Sequence, residues 1–179
     1  LYGSVDHIGI LEIDLKTNQH QLVHEMRDAT VSHQWVRAVD KNWVFFEEFT
    51  DSKETANFYL LNRTTGEVTT VKMDEKMPMI HQITAFFTED AQLVFNIVKD
   101  SKKDTSLNSL HLLDPTTMKE QVIDQNTFSP VLFDGKLYYI RYDASTNHSE
   151  VVQYDMKSGD KQVTLTHQSA TEHLNQLFT

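Results

Sequence analysis

The sequence predicts an all-β protein built from a repeated four-stranded unit. The fold class is a β-propeller of four blades of four antiparallel strands, or a four-blade fragment of a larger propeller. Three observations predict it. A turn motif recurs four times along the 179 residues. Short aromatic and β-branched runs fill the intervals between the turns. Apolar residues at helical spacing are absent from the sequence.

The turn motif is an apolar residue, then Asp or Asn, two variable residues, Thr or Ser, and usually Gly or Asn. It reads Ile13-Asp14-Leu15-Lys16-Thr17-Asn18 and Leu61-Asn62-Arg63-Thr64-Thr65-Gly66. It returns as Leu113-Asp114-Pro115-Thr116-Thr117-Met118 and Tyr154-Asp155-Met156-Lys157-Ser158-Gly159. The Asp or Asn side chain accepts from backbone N–H groups two or three residues on and shapes the turn. The last position suits a positive φ, which Gly and Asn tolerate. Met118 breaks that pattern, so a different turn is expected there. The motifs recur roughly every 40 to 50 residues, the period of four-stranded propeller blades.

Two further strands per repeat lie between these hairpins. Trp35 to Val39 leads through Asp40-Lys41 to Trp43-Val44-Phe45-Phe46. Ile83 to Phe87 leads through Glu89-Asp90 to Leu93 to Ile97, and Val131 to Phe133 leads through Asp134-Gly135 to Leu137 to Ile140. Naming the strands of a blade A (inner) to D (outer), Tyr2 to Val5 reads as B, His7 to Ile13 as C and Gln21 to His24 as D. The segment from His173 to Phe178 reads as an A strand. Residues 1–179 then form a single propeller domain whose last strand completes its first blade, which would remove the bare sheet edges. A fragment of a larger ring ending in this phase is the other reading.

At the Asp14, Asn62, Asp114 and Asp155 turns the chain resembles bacterial TolB-like and YVTN-like propeller repeats, which also end a strand in Asp-x-x-Thr-Gly before the outer strand. The resemblance covers nearly the whole chain. It implies scaffolding and protein–protein contact, often outside the cytoplasm, and supplies no catalytic residues. The Trp-Asp and Gly-His signatures of WD-type blades are absent: Asp155 follows Tyr154.

Composition narrows the partners. Lys and Arg number 16 against 26 Asp and Glu, a formal net charge of −10. Such a surface repels phosphate backbones and anionic lipid, so neither nucleic acid nor a membrane surface is an expected partner. No apolar run reaches the roughly 20 residues of a membrane helix. The absence of cysteine removes disulfides, thiolate metal sites and a thiol nucleophile. The beginning Leu1-Tyr2-Gly3-Ser4 lacks the basic and apolar regions of a signal peptide and reads as a cut or processed end. An extracytoplasmic bacterial protein, secreted or lipoprotein-anchored, is the expected setting.

Three constellations are candidates for function. His33, His81 and His173 each open an inner strand, with Ser129-Pro130 at that place in the fourth repeat. Inner strands ring a propeller's channel, so three imidazoles there could bind a divalent metal or an anion. Simple hydrogen bonding to a neighbouring loop is the bland alternative. Tyr139 and Tyr142, flanking Arg141, form a candidate partner-binding patch, against the alternative that they fill blade interfaces. Glu47 and Glu48 point to opposite faces of a strand, a poor acid–base pair; one of them faces into a blade sandwich or toward solvent, and a solvated edge is favoured over catalysis. The other histidines, His111 among them, read mostly as solvent-exposed. No nucleophile elbow, Walker loop or dinucleotide fingerprint is present. The Asn62-Arg63-Thr64 and Asn147-His148-Ser149 sequons read as chance matches in a bacterial chain. The function expected is a non-enzymatic binding or scaffold module with a protein partner. The alternatives are a ligand- or metal-binding propeller with a site at its channel mouth, and a structural piece of a larger protein.

Overall fold

The computed structural model describes residues 2–5, 9–26, 30–50, 55–72, 80–99, 108–143 and 145–168. The regular elements among them are all strands, and no helix among them is long and apolar enough to cross a membrane. The first sheet joins β1 (Tyr2–Val5), β2 (Gly9–Ile13) and β3 (His20–Glu25). The second joins β4 (His33–Val39), β5 (Trp43–Thr50), β6 (Thr55–Asn62) and β7 (Val68–Val71). The third joins β8 (Ile80–Phe87), β9 (Leu93–Lys99), β10 (Ser109–Asp114) and β11 (Lys119–Gln125). The fourth joins β12 (Thr127–Phe133), β13 (Lys136–Asp143), β14 (His148–Tyr154) and β15 (Lys161–Gln168). Each sheet is an antiparallel meander in chain order. The strand expected to complete the first sheet, from His173 to Phe178, lies outside the described residues.

The four motif turns are one structure used four times. The backbone N–H of Asn18, Gly66, Met118 and Gly159 donates to the carbonyl of Asp14, Asn62, Asp114 and Asp155 respectively, each at 2.8 Å. The same Asp or Asn side chain accepts from the backbone two residues on, at 2.8 to 2.9 Å. Met118 has φ 56°, beside 57° at Asn18, 73° at Gly66 and 79° at Gly159. The expectation of a different turn at Met118 is therefore wrong. The Asp114 cap fixes the backbone, and the Met118 side chain packs against the core between the second and third sheets.

That core explains the unbroken apolar runs. Successive residues of a strand face opposite sides. Val44, Phe46 and Leu61 turn toward the first sheet and meet Ile10. Phe45, Phe58 and Leu60 turn the other way and meet Leu93, Phe95 and Ile97. On the far side of the third sheet, Val94 and Leu110 meet Leu137, Tyr139 and Val152. A sheet covered on both faces needs apolar residues at every position, so Trp43-Val44-Phe45-Phe46 shows no alternation.

Polar ties join the sheets at their margins. Arg63 Nη2 donates to Glu12 Oε1 at 2.6 Å, linking second sheet to first. Asn96 is buried, and its amide donates to the carbonyl and hydroxyl of Thr127, linking third to fourth.

Candidate functional site

The outer end of β4 carries an unusual group of rings. Trp35 remains 38% exposed. His33 stacks on it at 5.3 Å between centroids and 23° between planes. The Arg37 guanidinium lies over the same indole at 5.3 Å, and Phe49 is tilted against it at 6.3 Å. Alternation puts His33, Trp35 and Arg37 on one face of β4, and a β-bulge follows. Val36 pairs with Phe46 and Ala38 with Phe45, which leaves Arg37 as the extra residue. Ala38 therefore joins Arg37 on the face that Trp35 and Glu47 share.

Glu47 anchors the group. It is 2% exposed and accepts from Arg37 Nε at 2.7 Å and Nη2 at 2.6 Å. Burial pushes its carboxyl pKa up, and the Arg37 charge only partly offsets this. Glu48 faces the opposite side, as alternation requires, and accepts from Gln34 with His24 at 3.6 Å. Burial works against its ionisation, but the hydrogen bonds from His24 and Gln34 win and hold its pKa below the ordinary value. The solvated edge expected for this pair is thus corrected: both carboxylates are tucked between elements and paired.

The Tyr139, Arg141 and Tyr142 patch is also corrected. Tyr139 is fully buried, and its hydroxyl donates to Asp124 of β11 at 2.7 Å. Burial first, and then the Asp124 charge, push the phenol pKa far up. Arg141 is held by Glu150 through Nε at 3.0 Å and Nη2 at 2.6 Å, and reaches Asp124 at 3.4 Å. Lys161 adds a third donor to Asp124 at 3.1 Å. Burial opposes the Asp124 charge, but Tyr139 and Lys161 outweigh it and lower the pKa. Tyr142 alternates to the other face of β13, where its hydroxyl donates to Asn147 at 3.0 Å. Two members of the patch therefore tie the third sheet to the fourth, and the third member points away from them.

The histidines fall as follows. His33 opens β4 and His81 is the second residue of β8, and these strands lie side by side. His81 is bulged out between the pairs Ile80 with Lys99 and Gln82 with Val98. His173 lies outside the described residues. The fourth-repeat counterpart is not Ser129-Pro130, which forms a bulge deeper in β12. Aligning the sheets on Leu61, Leu113 and Tyr154, which pair with Val44, Leu93 and Leu137, moves the counterpart to Asn126. Among the described residues no three His, Asp or Glu gather in a geometry that would hold a metal ion.

Solvent exposure fails as a reading of the remaining histidines. Of those described, His20 is exposed, whereas His24, His148 and His167 are half-buried. His111 is 8% exposed and stacks flat on Phe95 at 4.8 Å and 4°. Its Nδ1 meets Glu120 Oε1 at 2.6 Å, and its Nε2 meets Ser109 Oγ at 2.6 Å. Sequence reasoning missed this chain. The available signal was Ser-x-His on one strand face with a Glu on the next strand of the same hairpin.

No protein-family model matches the sequence, and no curated protein matches it. Solved structures do. An oligogalacturonate lyase in complex with manganese superposes with a TM-score of 0.65 at 11% identity, over 95% of this chain and 51% of that one. TolB from Acinetobacter baumannii superposes at 0.53 and 13% identity, over 87% of this chain and 37% of that one. The nidogen/laminin complex gives 0.54 and 12%, over 94% and 59%. The fold is that of a β-propeller. Its four sheets are blades, each an antiparallel meander stacked face to face on the next. The chain spans about half the length of the lyase. Its structural neighbours include an enzyme and a protein–protein complex.

Proposed function

We propose that the protein is a binding or scaffold propeller, and that residues 1–179 act as one propeller unit of the TolB-like and YVTN-like kind. Its partner is a protein that docks where β4 begins, around Trp35. The observation that carries this reading is the partly exposed indole held between His33 and Arg37. Indole and guanidinium groups are enriched among the few residues that carry most of the binding energy of protein interfaces. Buried Glu47 holds the half-exposed Arg37 and fixes the platform before a partner arrives, so less order has to be imposed on binding. The net charge of −10 favours a partner with basic side chains around an apolar anchor. The resemblance to bacterial extracytoplasmic repeats supports a setting outside the cytoplasm.

Site-specific photocrosslinking in the native host tests the proposal. A photoreactive residue replaces His33, and captured proteins are identified by mass spectrometry. The expected result is a discrete protein partner whose capture falls on Trp35→Ala, with affinity weakened by about 2 kcal/mol, roughly thirtyfold. Capture that ignores Trp35→Ala, or no capture, would sink the proposal.

A further inference from the structure

We propose that Ser109 is an activated nucleophile that takes the acyl group of a short-chain carboxylic ester. Three side chains on the outer half of the third blade carry the inference. Ser109 and His111 alternate onto one face of β10, and Glu120 stands across the hairpin on β11. Glu120 pairs with Leu113 and His111 with Val122, which puts the carboxylate diagonal to the imidazole. A bulge between Leu110 and His111 shifts the register there. The result is an unbroken chain, Ser109 Oγ to His111 Nε2 at 2.6 Å and His111 Nδ1 to Glu120 Oε1 at 2.6 Å.

Roles follow from what each atom can do. An ionised carboxylate only accepts hydrogen bonds. With Glu120 ionised, His111 Nδ1 therefore carries the proton, and Nε2 presents its lone pair to the Ser109 hydroxyl. That is the tautomer a general base needs beside a serine nucleophile. Phe95 stacks on the imidazole and fixes its plane. His111 is buried, which keeps competing water from its ring, while Ser109 is half-buried and Glu120 lies near the surface. Glu120 is a positioning residue: it acts only through His111.

The step balances without a further reagent. Ser109 Oγ attacks the ester carbonyl and forms a new C–O bond, and its proton passes to His111 Nε2. The carbon–alkoxide bond breaks, and the alkoxide leaves as the alcohol with that proton. Water later attacks the acyl-serine by the same route, releasing the carboxylic acid and restoring the hydroxyl. Ser109 is itself half-buried beside the buried imidazole, so small acyl groups reach its Oγ best.

This activity stands apart from partner binding at Trp35, so either can fail alone. The test incubates the whole chain with p-nitrophenyl acetate and follows nitrophenol release and the mass of the protein, with peptide mapping of the adduct. The expected result is one acetyl group on Ser109. It is absent in Ser109→Ala and forms roughly a hundredfold more slowly in Glu120→Gln. Both variants keep the His111–Phe95 ring stack and should stay folded, with Ser109→Ala melting a few degrees lower for the unpaired imidazole nitrogen. Acetyl groups on lysines with none on Ser109 would overturn the proposal. So would labelling of Ser109 at the same rate in folded Glu120→Gln.

Discussion

Met118 carries the left-handed backbone that Asn18, Gly66 and Gly159 carry in the other three turns. A side chain there costs about 1 kcal/mol. Packing of Met118 against the core between the second and third blades offsets that cost. Gly66 has no such compensation, since a Cβ there would meet nothing within 4 Å. Gly66→Ala should therefore lose about 1 kcal/mol, the backbone cost alone. Gly9 is different. A Cβ there would stand 2.0 Å from the His24 carbonyl oxygen, so β2 and β3 would have to separate. Gly9→Ala should lose more than about 2 kcal/mol. Urea unfolding of the two variants checks the order, and equal losses would refute it. The same scale shows where the sequence was hard to read. His111 looked like one scattered histidine because its meaning depends on a diagonal neighbour across a hairpin. Tyr139 looked like a surface residue because an aromatic strand buried on both faces and one buried on a single face read alike.

Elements were far more legible than sites. The strand order and the inner-to-outer phase follow from turn chemistry and short apolar runs, and the four meanders reproduce them. The bulges were not legible. Arg37, His81 and Ser129-Pro130 each shift register inside an inner strand, and no residue preference announces them. The fourth-repeat counterpart of His33 was misplaced at Ser129-Pro130 for that reason. The turns also set the acid response. Backbone N–H donors lower the pKa of Asp14, Asp114 and Asp155, chiefly Lys16, Thr116 and Ser158 in turn. A depressed folded-state pKa contributes stability that is present above the unfolded value near 3.9 and is lost as pH falls through the folded value. Asn62 builds the same turn without charge. Replacing all three aspartates by asparagine should therefore keep the turns and flatten the loss of stability below about pH 4. Thermal melts across pH check this. A variant that acid-unfolds as steeply as the parent would assign the response to other carboxylates.

At the scale of the molecule, the blades differ in how they are joined. The second and third meet through aromatic rings, with Phe45 and Phe95 at 5.8 Å. The third and fourth add polar ties, Asn96 to Thr127 and the Asp124 hub. The stacking of four successive meanders buries Glu47 beneath the Trp35 group and His111 beside Ser109. The chain contains no cysteine, so an engineered pair reports on one contact without background. The most direct measurement is oxidation of an Asn96→Cys, Thr127→Cys protein, read as a shift on a non-reducing gel and confirmed by peptide mapping. Stacked blades place these side chains in hydrogen-bond contact and predict an intramolecular disulfide, whereas Asn96→Cys with Gln34→Cys, which faces the first blade, should stay reduced. Failure of the first pair to close, or closure of the second, would contradict the blade order.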